Sequence, residues 1–178
     1  MSLKELVAGG VITLVIGGTA YKVNEADVAK NFANDTGLTQ QEAEEYVGNV
    51  KEDDLVSYDE VGATYVDSGQ QLLASANEID CPNYEYEWES ETLSCNVGKA
   101  HLIKVSNDEI ALGKSFKILQ SDTASRQDIS STIQLIDTVN IDYKHEIIPK
   151  MLGQSSIDEA LKNNSYNKAL LKTALESN

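Results

Sequence analysis

Leu6-Val7-Ala8-Gly9-Gly10-Val11-Ile12-Thr13-Leu14-Val15-Ile16-Gly17-Gly18-Thr19-Ala20-Tyr21 runs sixteen residues without a charge, between Glu5 and Lys22. Its reading decides how the rest of the chain is understood. As an export signal it offers a weakly positive start (the α-amino group and Lys4, offset by Glu5), an apolar stretch, and Gly18-Thr19-Ala20 as a small-x-small cleavage site. As an uncleaved helix it would rise about 24 Å, slightly short of a ~30 Å hydrocarbon core. Tyr21 at the interface and a snorkelling Lys22 would extend it. The opposing reading is a buried strand, because Val, Ile and Thr favour β structure and glycines bracket the run. The expectation is a signal peptide or single membrane anchor over residues 1–22, followed by an acidic helical domain over 23–178 that is periplasmic, extracellular or anchored facing outward.

Two cysteines agree with export. Cys81 and Cys95 enclose a short segment that carries Pro82, and an even, small number of cysteines in an exported chain reads as a disulfide. Closing a loop of that size stabilises a fold by about 3 kcal/mol. The spacing is not C-x-x-C, and two cysteines without adjacent histidine do not make a tetrahedral zinc site. No metal and no cofactor is expected.

Composition narrows the partners. Acidic residues outnumber basic ones 29 to 14 in 178 residues, for a net charge of −15, and Arg126 is the only arginine. Phosphate backbones and anionic headgroups would be repelled, so nucleic acid is not expected. Membrane contact would run only through residues 6–21. A basic protein or a neutral ligand fits better, as does plain solvated acidity.

Helix-start signals recur. Thr39/Glu42, Ser57/Glu60, Ser106/Glu109 and Ser156/Glu159 have capping-box spacing, with Asn24/Asp27 and Ser125/Asp128 as weaker versions. Tyr58 to Ile79 carries Val61, Tyr65, Leu72, Leu73 and Ala76 along one helical face. Gln127 to Ile148 carries Ile129, Ile133, Ile136, Tyr143 and Ile147 along another, interrupted by Asn140. Pro82 and Pro149 read as stops, Gly37 and Gly153 as left-handed caps, and Lys51-Glu52-Asp53-Asp54 as a charged connector. The predicted fold is all-α: a bundle of about five to seven helices with a small disulfide-clamped β-hairpin or loop insert at 81–95, preceded by the signal or anchor.

The stretch Asp27 to Ala43, with its Thr36-Gly37-Leu38-Thr39 turn, resembles the opening helix pair of the histone-like bacterial DNA-bending proteins. The resemblance covers these residues only and implies a helical hairpin. The basic β-arms of that family have no counterpart here, and the charge has the wrong sign, so no function is carried over.

The insert holds the candidate site. Tyr84-Glu85-Tyr86-Glu87-Trp88-Glu89 alternates aromatic and acid. As a strand it would put Tyr84, Tyr86 and Trp88 on one face and Glu85, Glu87 and Glu89 on the other, with Glu89-Ser90-Glu91-Thr92 turning the chain. Exposed rings stack on sugars or cations, and the acidic face, with Glu91, suits a basic partner; packed rings and solvated acids are the alternative. No nucleophile elbow, HExxH or P-loop is present, and Gly113-Lys114-Ser115 has Asp108 where a P-loop needs glycine. His101 and His145 stand out in no motif. The expected function is non-enzymatic binding or assembly in a cell envelope. The alternatives are an inhibitor or immunity-type protein that neutralises a basic effector, and a hydrolase acting through two carboxylates.

Overall fold

The computed structural model describes residues 10–50, 57–90 and 93–177. Leu6–Gly9, the connector Lys51–Asp54, and Glu91-Thr92 lie outside them. Within the described residues the order is β1 (Val11–Ile16), β2 (Thr19–Asn24), α1 (Glu25–Thr36), α2 (Gln40–Asn49), α3 (Tyr58–Glu78), α4 (Cys95–Leu119), α5 (Arg126–Tyr143), α6 (Ile147–Leu152) and α7 (Gln154–Glu176).

The described part of the decisive stretch belongs to a β-hairpin, Val11–Asn24, and the signal or anchor reading finds no support. β1 and β2 pair antiparallel with Ile16 opposite Thr19 and Val11 opposite Asn24. Gly17 and Gly18, at φ 58° and 71°, form the two-residue turn that connects them. Such a turn needs positive φ at both positions, and glycine takes it without steric cost. Ile12, Leu14 and Ile16 alternate into the core, joined by Tyr21 and Val23. An isolated two-stranded hairpin is marginal in water; here the Gly17 N–H reaches the Leu119 carbonyl at 3.4 Å. A Cβ on Gly17 would collide with the Ala124 carbonyl, so the tip is seated against the α4–α5 connection. No described helix is long and apolar enough to cross a membrane.

The capping signals divide cleanly. Thr39/Glu42, Ser57/Glu60 and Ser125/Asp128 form reciprocal capping boxes at the starts of α2, α3 and α5. Asn24 caps α1 through the Ala26 N–H, and Gly37 closes it in the left-handed conformation. Ser156/Glu159 lies inside α7, not at its start. Ser106/Glu109 lies in the middle of α4, which begins at Cys95. Ser106 donates to the Leu102 carbonyl one turn back, and Glu109 is fully buried. Cys95, Gly98, Leu102, Val105, Glu109, Leu112, Phe116 and Leu119 make an unbroken three-four seam on α4, so the helix begins well before the start expected at Ser106. Pro149 does not end a helix. It occupies the third position of α6, in the first turn, where its missing N–H costs nothing. Gly153 has positive φ (86°) but an extended ψ of 137°, so it links α6 to α7 without the left-handed cap.

α4 is the central helix. It packs along α3 on one side and α5 on the other, while α7 closes the bundle against α1, α5 and β2. The disulfide Cys81–Cys95, Cα atoms 5.5 Å apart, ties the end of α3 to the first residue of α4.

Candidate functional site

The insert is a loop of turns, and its described residues 81–90 contain no strand. The reason is where its backbone donors go. Glu89 turns its carboxylate inward: Oε2 accepts the Tyr86 N–H at 3.1 Å and Oε1 accepts the Cys95 N–H at 2.8 Å. The latter fills a donor at the start of α4, where the N-cap Ser94 makes no side-chain bond. Asp80 N–H donates to the Tyr86 hydroxyl at 2.9 Å, and Glu89 N–H to the Tyr86 carbonyl at 2.8 Å. These contacts curl the segment, and the alternation of faces is lost.

The aromatic face therefore does not form as a platform. Trp88 is 7% exposed. It stacks on the half-buried Tyr86, ring centroids 5.2 Å apart, and its ring sits where a Cβ on Gly98 would be. Tyr84 alone projects, at 65% exposure. Glu85 and Glu87 are exposed and Glu89 is half-buried. Of the six sequence-predicted residues, Tyr84, Glu85 and Glu87 remain open to a partner, while Tyr86, Trp88 and Glu89 hold the insert together.

A second surface was not visible in the sequence. A groove of about 690 Å³ opens between α5, α7 and the α1–α2 turn. α5 supplies Asp137, Asn140, Ile141 and Lys144; α7 supplies Asp158, Leu161, Lys162, Ser165 and Lys168; Asp35, Thr36 and Leu38 close one end. Lys168 is held between Asp137 and Asp35, with Asp35 Oδ1 at 3.3 Å. Burial alone would lower the Lys168 pKa, but the two aspartates outweigh it and hold it above the ordinary value. Lys172 also pairs with Asp35 at 3.2 Å. Lys162 lies over the Tyr46 ring at 4.1 Å. The groove wall is backed by a polar relay: Asn164, fully buried, donates to Asn140 Oδ1 at 2.7 Å and accepts the Tyr65 hydroxyl. Asn140, which interrupts the α5 stripe in the sequence, thus pins α5 to α7.

Ile141, 71% exposed, stands on the groove rim. The carboxylates of the groove are committed: Asp35 and Asp137 to lysines, Asp158 to the Gln154 amide at 2.8 Å. Among the described residues no three His, Cys, Asp or Glu side chains gather to hold a metal ion.

The sequence signal for this groove was slight, because its walls come from two separate helices and its end from residues about a hundred positions earlier. Comparison with known protein families, curated proteins and solved structures found no match to the chain.

Proposed function

We propose that this protein is a non-enzymatic binding protein of an oxidising compartment, in a cell envelope or outside the cell, and that the α5–α7 groove holds a neutral, peptide-like ligand. The observation that carries this reading is the balance of the groove. Lys144, Lys162 and Lys168 face Asp35, Asp137 and Asp158 in a chain whose net charge is −15. A groove whose own charges cancel suits a ligand without net charge. Leu38, Ile141 and Leu161 supply apolar contact, and Asn140 and Ser165 supply groups for amide recognition. Because the groove carboxylates are already paired, they favour binding over acid–base hydrolysis. The disulfide supports an oxidising compartment.

Selection of a random peptide library on the full chain tests this. Enriched peptides should carry little net charge, and Ile141→Asp should abolish their capture while the fold persists, since that side chain is already exposed. Enriched peptides indifferent to Ile141→Asp would refute the groove as the site.

A second reading rests on Tyr84, Glu85 and Glu87, which are exposed together on the insert. This surface suits a basic effector. Capture there would weaken with salt, because exposed pairs are screened beyond about 8 Å at physiological ionic strength, and Glu85→Lys with Glu87→Lys would remove it.

A further inference from the structure

The two histidines of the chain meet. His101 on α4 and His145 in the α5–α6 turn stack face to face, ring centroids 3.7 Å apart and planes within 25°. Neutral imidazoles stack favourably. Two imidazolium ions in the same place set like charges against each other inside a half-buried contact. The lone pairs of stacked rings lie in the ring planes and do not converge on a common point, so the arrangement is not a two-histidine metal chelate.

The surroundings do not rescue a charged pair. Asp142 of α5 offers its backbone carbonyl, 3.4 Å from His101 Nε2, but its carboxylate is held by Lys104 of α4 at 2.7 Å through both oxygens. Lys104 in turn pairs with Asp108 at 2.8 Å. The charged groups acting on His101 are thus His145, Asp142 and Lys104; Lys104 opposes an imidazolium, and Asp142 favours one through its carbonyl and its charge, but burial and His145 outweigh it. Lys144 and Glu146 flank His145 in the turn and point to solvent. His145 Nδ1 faces the Ile147 N–H at 3.5 Å. Burial, then the neighbouring His145 ring, hold the His101 imidazole below the usual histidine range.

The same two elements also build the seat of Trp88. Gly98 lies three residues before His101 on α4, and Ile147 two residues after His145. A Cβ at Gly98 would run into the Trp88 ring and come within 2.7 Å of Ile147 Cδ1. Trp88, Gly98 and Ile147 therefore close on one point, about one helical turn along α4 from His101 and two residues along the chain from His145.

We propose that His101 and His145 form an acid-released latch, which pins the α5–α6 turn and the Trp88 seat to α4 at neutral pH and frees them when both rings become charged. Freed, the Tyr86–Trp88 pair becomes an apolar surface that exists only in acid. The sign follows from the lowered His101 value. The folded state binds the proton less well than the unfolded chain, so the latch is fully closed above about pH 6.5 and is lost as pH falls below it.

Trp88 is the only tryptophan, so the whole chain reports on its own latch. Between about pH 8 and pH 5 the wild-type emission should move from blue to red, and acrylamide quenching should rise several-fold while the far-UV dichroism stays helical. His101→Gln and His145→Gln each remove the like-charge pair and should flatten the profile. Glu109→Gln, which leaves the pair intact, should not. A wild-type emission constant over this range, variants that still shift, or loss of the shift in Glu109→Gln would each overturn the proposal. If a glutamine variant fails to fold, the imidazole proton resonances of the wild type decide: two coupled titration steps support the latch, and two independent ordinary titrations overturn it.

Discussion

Gly62 of α3 and Gly113 of α4 lie back to back: a Cβ on either would stand 2.5 Å from the carbonyl oxygen of the other. The two backbones meet with no side chain between them. Gly69 repeats the contact one stretch along, where a Cβ would come 2.7 Å from the Ser106 carbonyl. The longest interface in the molecule is therefore set by the absence of side chains, and α4 can bring Leu112, Phe116 and Leu119 fully into the core.

Gly113→Ala should accordingly destabilise the fold. The added methyl has backbone on both sides and forces the helices apart, at a cost of about 1–3 kcal/mol that exceeds the ~1 kcal/mol gained in helix propensity. Gly48→Ala in α2 is the control. Nothing lies within 4 Å of its Cβ, so this change should stabilise by about 0.5–1 kcal/mol. Urea unfolding of the two variants checks both signs.

Trp88 should emit in the blue at neutral pH and resist acrylamide, because it is packed under the insert and not presented. Trp88→Ala should cost roughly 3–5 kcal/mol, the range for emptying a large aromatic site in a core. A tolerated alanine there, with unchanged melting temperature, would contradict this packing.

Breaking the disulfide acts on the same corner. Cys81→Ser with Cys95→Ser should lower stability by about 2–4 kcal/mol, since the cross-link restricts the unfolded chain. Glu89→Ala should cost about 1–2 kcal/mol on its own by leaving the Cys95 amide at the start of α4 unfilled. Thiol titration of the native protein should find no free cysteine, and calorimetry measures the two losses.

Glu109 gives a stability change of opposite sign to that of the histidines. Its carboxyl is buried on the α4 seam, Oε1 accepting the Tyr143 hydroxyl at 2.7 Å, and Oε2 is buried as well. Burial raises its pKa above the ordinary carboxylate value, against the weaker opposing effect of the Tyr143 and Ser68 hydroxyls. The folded state then holds the proton more tightly than the unfolded chain. Stability from this group is complete below about pH 4.5 and is lost as pH rises through the folded value. Glu109→Gln, neutral at every pH, should melt higher than wild type at pH 8, and the difference should shrink toward pH 4.5. Melting curves across that range test the sign.

Asn164→Ala should remove the relay between Tyr65 and Asn140. Both half-buried partners lose a hydrogen bond, which costs about 1 kcal/mol or more. The groove wall should loosen with it, so peptide capture should fall alongside stability. Unfolding and binding measured on one preparation would show whether the two losses go together.

Short-range chemistry was legible from the chain alone. The capping boxes at Thr39, Ser57 and Ser125, the cap at Gly37, the extent of α3, and the pairing of the only two cysteines each depend on residues a few positions apart or on a count of two, whereas the helix expected over Gln127 to Ile148 stops at Tyr143 and Ile147 opens α6. The mostly helical fold class followed from them. The tertiary structure decided the rest, because the same local pattern serves two environments. An uncharged run such as Leu6–Tyr21 suits a lipid bilayer or a protein core equally. Only the presence of a bundle with room for Leu14, Ile16 and Val23 made Val11–Asn24 a hairpin. Ser106 and Glu109 have the spacing of a helix start, yet the surrounding seam of α4 turned one inward to its own backbone and buried the other. The alternation of Tyr84 to Glu89 gave way once a short cross-linked loop let the Glu89 carboxylate satisfy amides that a second strand would have taken. The groove and the His101–His145 stack were beyond any local reading, because their walls and rings meet only after helices distant in sequence have packed.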